Sequence, residues 1–208
     1  MYFIEGDLYH IYNRGNNSQQ IFFNRNNYLF FLNKIKEFIL PHAEILAWCL
    51  MPNHFHLMIE VLSENIPINS QGDYSPGDFK SPGEYKLRTL NDSIAIMLRS
   101  YTRAINKQES RTGALFQQGT KSTWLNEHEL SQAYFQTAYG TIGNISIPEI
   151  EYPCVCFNYI HQNPVKNGLV KTPGEWEFSS YRDYYCARDE SFVKRESAVK
   201  LGLYSPNE

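Results

Sequence analysis

Two histidines lie one residue apart at the start of an apolar segment with strand character, directly after a Pro-Asn turn. Because side chains along a strand alternate between its faces, His54 and His56 share one face, whereas Phe55 and Leu57 lie on the other. Neutral imidazole is a common ligand of divalent ions, so the pair predicts a metal site at the rim of a sheet. The alternative is surface or hydrogen-bonded core histidines, since a single His-x-His is a weak signal.

A tyrosine and an asparagine form a second pair in a segment with helical character. Tyr159 and Asn163 are four residues apart and therefore share one face of a helix. We expect this helix to end near Asn163, because the residue before a proline disfavours the helical region. A phenol and an amide oxygen would then lie together at a helix end.

Two further side chains could take part in the same chemistry. Tyr101 is a rival nucleophile, but its apolar register within a predicted helix favours a core position. His161 either lines the site or is an ordinary histidine on a helix surface.

Hydrophobic periodicity predicts the elements that must position these residues. Strands are predicted over 8–13, 43–51, 54–62 and 115–124, and helices over 25–39, 89–108 and 129–139. Asn24 is the expected N-cap of the first helix, and Gly119 marks an expected bulge in the fourth strand. Residues 63–87, rich in Pro and Gly, predict a long loop, and 140–153 a turn-rich connector.

The element order strand-helix-strand-strand-helix-strand is the split βαβ, or ferredoxin-like, pattern. We therefore predict an α+β fold with an antiparallel sheet, helices on one face, and an additional C-terminal helix that carries Tyr159. The histidine pair would lie on the open face of the sheet. We expect a single domain over residues 1–185 and a C-terminal tail over 186–208.

Composition limits the classes of protein to consider. A chain of 208 residues with 42% hydrophobic residues can bury a core of its own. Its four cysteines show neither zinc-knuckle spacing nor the density of a disulfide scaffold, which favours a reduced, cytoplasmic protein. The sequence lacks an apolar run of the ~20 residues needed to cross a bilayer and a basic N-terminal flank, so we expect neither membrane insertion nor export.

The charge distribution allows only local contact with nucleic acid. A net charge of −3 argues against a protein that coats nucleic acid by bulk charge. One segment is nevertheless basic, since Glu109 is the only acid between Arg99 and Lys121. Its candidate DNA-binding residues are Arg99, Arg103, Lys107 and Lys121, to which a turn adds Arg14. The alternative for such a run is a solvated helix face.

Several spaced blocks together resemble a known family, the single-tyrosine HUH transposases, and within it the group related to REP-associated tyrosine transposases. The blocks are YHIYNRGNN (9–17), LMPNHFH (50–56), SYTR (100–103), GALFQ (113–117), YIHQNPVKNGLV (159–170) and WEFSSY (176–181). The resemblance runs from about residue 7 to 185, in the expected order.

This resemblance implies roles for the residues singled out. His54 and His56 would be metal ligands, Asn163 the third ligand and Tyr159 the nucleophile. The family cleaves single-stranded DNA, often beside a hairpin, and leaves the DNA 5′ end on the tyrosine. The implied cofactor is Mg²⁺ or Mn²⁺, of which Mn²⁺ suits two imidazoles better. The implied partner is single-stranded or hairpin DNA, bound by a monomer or homodimer.

Two other functions remain open from the sequence. A non-cleaving module for structured nucleic acid, or a domesticated relative, would use the basic residues and aromatics without Tyr159. A metallohydrolase would need a bound water and an acid or base, and Glu60 lies on the same strand face as the histidines.

Overall fold

The structure is a computed structural model that describes residues 1–68, 86–126, 133–137, 140–144, 151–186 and 191–206. The strands are β1 (Leu8–Arg14), β2 (Ala43–Met51), β3 (His54–Val61), β4 (Asn65–Ile68), β5 (Lys86–Thr89), β6 (Lys121–Trp124), β7 (Ala133–Thr137) and β8 (Gly140–Asn144). The helices are α1 (Arg25–Phe38), α2 (Leu90–Gln108), α3 (Glu151–Lys166), α4 (Tyr181–Tyr185) and α5 (Arg195–Lys200). The predicted α+β class, with an antiparallel sheet and helices, is confirmed.

A four-stranded sheet in the order β2-β3-β1-β6 forms the centre of the molecule, and all three neighbouring pairs are antiparallel. β2 and β3 form a hairpin. The register places His54 opposite Arg14 and His56 opposite Tyr12. Directly paired residues point to the same face, so Arg14 and Tyr12 share the face of the two histidines.

The opposite face of the sheet packs against α1 and α2 in an aromatic core. The ring centre of Phe55 lies 5.1 Å from that of Phe31 on α1, which in turn lies 4.9 Å from that of Tyr101 on α2. Both helices begin at side-chain caps. The side chain of Asn24 accepts from the backbone N–H of Asn27, and that of Thr89 accepts from Asp92. The bounds of both helices agree with their predicted bounds within one residue.

The histidine face is not open as predicted, because α3 packs across β2 and β3. α3 also continues to Lys166, three residues beyond the predicted end, with Pro164 inside it. Proline removes one helical hydrogen bond, but the next turn is held by Asn167, whose backbone N–H and side-chain amide donate to the carbonyl of Asn163 at 3.0 and 2.9 Å. Gly168, with φ +70°, then ends the helix.

Four other predicted segments differ from the structure. The predicted fourth strand is regular only over Lys121–Trp124, which pairs with β1, because Gly119 has φ +75° and interrupts the extended backbone. Before this interruption the backbone N–H of Gln117 still donates to the carbonyl of Arg14 at 2.8 Å. The ends of the predicted loop over 63–87 pair as β4 and β5, whereas residues 69–85 lie outside the described part.

The prediction of a helix over 129–139 is wrong for the residues of this segment that the structure describes. Residues Ala133–Thr137 form β7, which pairs with β8, and the Tyr, Phe and Thr of this segment are strand-forming residue types. Residues 129–132 and 138–139 of that prediction lie outside the described ranges. β8, the strand that pairs with β7, occupies part of the predicted connector over 140–153.

The C-terminal segment covers the outer edge of β2. The backbone N–H of Leu50 donates to Phe178 at 2.9 Å, and that of Lys194 donates to Ile45 at 2.9 Å. Ala198 and Leu203 are buried in the core. An edge strand is thereby protected from further pairing. None of the helices in the described part of the chain is long and apolar enough to cross a membrane.

Candidate active site

The three predicted metal ligands converge between β3 and α3. Nε2 of His54 lies 3.2 Å from Oδ1 of Asn163, and Nε2 of His56 lies 3.3 Å from Nδ2 of the same amide. The imidazole centres of the two histidines are 5.0 Å apart. Residues 109 positions apart in sequence are thus brought into contact.

The orientation of the Asn163 amide is fixed by its neighbour in the next helical turn. The side-chain N–H of Asn167 donates to Oδ1 of Asn163 at 3.0 Å and to its backbone carbonyl at 2.9 Å. The amide nitrogen of Asn163 is therefore turned towards His56, and its oxygen towards His54.

His54 faces carbonyl oxygens with both ring nitrogens. Its Nδ1 lies 2.6 Å from Oδ1 of Asn53, whose amide nitrogen lies 3.4 Å from the carbonyl of Ser18. Nδ1–H therefore donates to Asn53, and because a neutral imidazole has one N–H, a lone pair of Nε2 faces the oxygen of Asn163. This contact between two acceptors is repulsive unless a cation lies between them.

The residues present fit a divalent metal ion. The 3.2 Å separation of His54 Nε2 and Asn163 Oδ1 is close to the ~3.0 Å between adjacent ligands ~2.1 Å from an octahedral ion. Within the described ranges, no three His, Cys, Asp or Glu side chains form a group that could hold a metal. A site here therefore depends on the amide oxygen of Asn163.

Burial keeps these imidazoles neutral, which is the form that binds metal. Burial lowers the pKa of His54 to about 4. The oxygen of Asn163 opposes this effect, because it can accept from the Nε2–H of the charged ring, and the charge of Arg14 increases it. Burial, followed by the neighbouring histidines and Arg14, lowers the pKa of His56 well below its usual value. Burial also lowers the pKa of His10, on β1, to about 3.

Tyr159 lies on α3 against this cluster. Its ring is 5.4 Å from the imidazole of His56, edge to face, and the side chain is 7% exposed. Burial raises the pKa of its hydroxyl, and a hydrogen bond with Asn163 lowers it in part. The phenol is consequently protonated at neutral pH and requires help to become a nucleophile.

Sequence reasoning missed Lys166 and His10. The ammonium of Lys166 lies 5.4 Å from the centre of the Tyr159 ring. The spacing of seven residues would have placed both side chains on one helix face, but the helix was predicted to end before Lys166. His10 lies within a block of the resemblance, yet no local pattern connects it with His56, to which it is hydrogen bonded.

Two predicted DNA-binding residues lie on the same face as Tyr159. Arg14 is opposite His54 in the sheet, and its buried Nε has no hydrogen-bond partner among the described residues. Lys121 is opposite Tyr12, and its ammonium lies 5.9 Å from that ring. Arg14 is therefore adjacent to His54, whereas Lys121 is one strand further from the histidines, beyond Tyr12.

The other predicted DNA-binding residues lie on α2, away from this cluster. Arg99 and Arg103 line a cleft of about 600 Å³ between α2 and the segment before β6. The opposite wall contributes the polar side chains of Asn13, Gln117 and Thr120. Lys107 is exposed in the last turn of α2 and does not line this cleft.

The structure separates the remaining candidates from the site. Tyr101 is fully buried in the core, where its hydroxyl donates to the carbonyl of Ile21 at 2.8 Å and burial raises its pKa. His161 is not a helix-surface histidine but is 2% exposed, with Nε2 2.8 Å from the hydroxyl of Ser180. Glu60 shares the histidine face, but the strand rise places it ~13 Å from His56.

Comparison with known proteins gives one structural likeness. No family model matches the chain, and no curated protein matches its sequence. The chain is similar to the solved structure of a REP-associated tyrosine transposase bound to a REP hairpin, with a TM-score of 0.54 and 18% sequence identity, over 100% of this chain and 88% of that one. At this identity, the likeness establishes a shared α+β fold.

Proposed function

We propose that this protein is a metal-dependent single-stranded DNA endonuclease and strand transferase, with Tyr159 as its nucleophile. The observation that carries the proposal is the convergence of Tyr159, His54, His56 and Asn163 on one side of the sheet. A buried phenol beside a cluster of neutral nitrogen and oxygen donors suits covalent attack on a phosphodiester.

The fold supports the same proposal. A strand order of β2-β3-β1-β6, with antiparallel neighbours and α1 and α2 on one face, supports a ferredoxin-like split βαβ arrangement. The likeness to a hairpin-bound REP-associated tyrosine transposase supports a transposase-type enzyme acting on hairpin DNA. In the proposed enzyme, α3 supplies the nucleophile and the third metal ligand to a site built on β3.

His54, His56 and Asn163 would hold the divalent ion, and the donor set favours Mn²⁺ or Mg²⁺ with additional water ligands. When bound, the ion supplies positive charge that neutralises the oxygens of the scissile phosphate. All three protein ligands are neutral, so they leave the charge of the ion available to the phosphate. Arg14 and Lys121 would hold neighbouring phosphates on the same face.

The chemical step exchanges one phosphodiester for another. The hydroxyl oxygen of Tyr159 bonds to phosphorus, and the bond from phosphorus to the 3′ oxygen of the preceding nucleotide breaks. The phenol loses its proton and the departing 3′ oxygen gains one, which leaves a 5′-phosphotyrosine and a free 3′ hydroxyl. Because the two esters have similar energies, the reaction is reversible and can rejoin strands without a nucleotide cofactor.

The test is covalent capture of DNA by the protein. We would incubate the full chain with a 3′-labelled library of single-stranded hairpin DNA and Mn²⁺, and follow the label on a denaturing gel. The expected result is label that migrates with wild-type protein and is lost in Tyr159→Phe and in His56→Ala. Tyr101→Phe is the matched control. It removes a buried hydroxyl and ~1 kcal/mol of stability, but it should retain the covalent product.

The alternatives predict other outcomes. A covalent product that persists in Tyr159→Phe would overturn the assignment of the nucleophile. Cleavage without a protein-linked product would favour a metallohydrolase. Retention of DNA on a filter without a covalent product would favour a non-cleaving module for structured nucleic acid, with Arg99 and Arg103 as its contacts.

A further inference from the structure

A third histidine adjoins the proposed metal site without lying at its centre. Nε2 of His10, on β1, is 2.9 Å from Nδ1 of His56, and His10 is 3% exposed. The contact joins two neighbouring strands and occupies the ring nitrogen of His56 that points away from Asn163.

The hydrogen bonds around His56 determine which of its nitrogens carries the proton. The oxygen of Asn163 accepts from Asn167, so the Asn163 amide donates to Nε2 of His56 at 3.3 Å. Nε2 is therefore an acceptor, and the single proton of the neutral ring lies on Nδ1. Nδ1–H donates to His10, whose Nε2 must be unprotonated.

The relative orientation of the neighbouring rings is consistent with this hydrogen bond. The imidazoles of His10 and His56 are inclined by 22° with centres 5.1 Å apart, and the ring of Tyr12 stacks on His10 at 4.8 Å. The two histidines therefore have little freedom to rotate. A change of tautomer at His56 would break the hydrogen bond with His10 as well as the one from Asn163.

We propose that His10 is a positioning residue for metal binding, one that fixes the tautomer of His56 and directs its Nε2 lone pair towards His54 and Asn163. Asn53 performs the same task for His54, because its side-chain oxygen accepts from Nδ1 at 2.6 Å. Each ligand histidine thus has its own acceptor behind it. Such acceptors orient the ring and increase the basicity of the ligating nitrogen. The inference rests on the metal site of the proposed function.

The first test measures Mn²⁺ affinity without DNA, from the electron paramagnetic resonance signal of free Mn²⁺. His10→Ala should bind Mn²⁺ about 10–100-fold more weakly than wild type, the usual effect of losing such an acceptor. His10→Gln can offer an amide oxygen to Nδ1 and should recover much of the affinity. The control is His42→Gln, because His42 is a buried histidine bonded to Ser63 and Ser93. This control should leave the affinity unchanged.

The second test reads the tautomer directly in metal-free wild-type protein. Long-range ¹H–¹⁵N correlation spectra distinguish a proton on Nδ1 from one on Nε2, and His56 should carry it on Nδ1. In His10→Ala, the His56 signals should move towards a mixture of tautomers. This test needs no metal and, in wild type, no substitution, so an unfolded His10→Ala protein does not prevent it.

Each outcome decides the proposal. A His56 proton on Nε2 in wild type, or unchanged Mn²⁺ affinity in a folded His10→Ala protein, overturns the role of His10 alone. A wild-type protein that binds no Mn²⁺ overturns that role together with the metal site. A third outcome is that wild type forms no covalent DNA product, while His10→Ala still weakens Mn²⁺ binding and changes the tautomer of His56. That result contradicts the proposed reaction and leaves the role of His10 intact.

Discussion

The ammonium of Lys166 lies 5.4 Å from the centre of the Tyr159 ring, two helical turns further along α3. Lys166 is exposed at the end of the helix, whereas the tyrosine is 7% exposed. In the proposed reaction, we expect a cation in this position to stabilise negative charge on the phenol and on a phosphate that approaches it. This contact exists because α3 continues through Pro164.

Removing this cation should slow the reaction of Tyr159. We expect Lys166→Gln to lower the rate of covalent product formation roughly 10-fold, equivalent to ~1.4 kcal/mol in the barrier, and Lys166→Arg to retain most of it. Single-turnover kinetics at saturating DNA measure the change. Lys200→Gln, an exposed lysine on α5, is the control. An equal loss in that control would indicate a general charge effect instead.

The cleft lined by Arg99 and Arg103 should bind the DNA backbone. Replacing both arginines by Gln should weaken binding and flatten its salt dependence, because each phosphate contact on single-stranded DNA contributes ~0.7 to the slope of log K against log salt. Fluorescence anisotropy at several salt concentrations measures this slope. The exposed Lys107 lies outside the cleft, so Lys107→Gln should change the slope less. If the slope is unchanged in the double variant, the cleft is excluded as a binding site for the DNA backbone.

Gly15 should tolerate no side chain. A Cβ there would lie 2.0 Å from the backbone oxygen of Gln19, and the Gly15 N–H donates to the carbonyl of Asn53 at 2.7 Å. Gly15→Ala should therefore shift the turn that follows Arg14 and lower the free energy of unfolding by ~1–3 kcal/mol. Gly174→Ala is the control, since its Cβ would have ordinary contacts of 3.6 Å or longer. Urea unfolding measures both variants, and equal stabilities would contradict the steric argument.

Stability should fall in acid because buried histidines are neutral in the folded protein. Burial lowers the pKa of His161 to about 3, so between pH 6.5 and about 3 the unfolded chain binds a proton that the folded chain does not. The free energy of unfolding should fall by ~1.4 kcal/mol per pH unit for this group. Urea unfolding at pH 7 and pH 5 in metal-free buffer measures the fall. His161→Gln should show a shallower pH dependence, and an identical one would contradict this assignment.

Sequence alone determined the parts of the molecule that depend on local periodicity. The first two helices, the first three strands and the α+β class follow from the spacing of apolar residues and from caps such as Asn24, because these signals lie within each segment. The alternation along β3 placed His54 and His56 on one face of that strand. The spacing of four residues placed Tyr159 and Asn163 on one face of a helix. The division into residues 1–185 and 186–208 stays a prediction.

Only the tertiary structure decided how these pairs meet. The contact between His10 and His56 joins residues 46 positions apart. It exists because β3 has β1 as a neighbour in the sheet, on the side opposite β2. The packing of α3 across the sheet brings Asn163 to the histidines and covers the face predicted to be open. The hydrogen bonds that Asn167 donates to the carbonyl and side-chain oxygens of Asn163 outweigh the local signal of Pro164. Such contacts depend on strand order and burial, and a local sequence pattern contains neither.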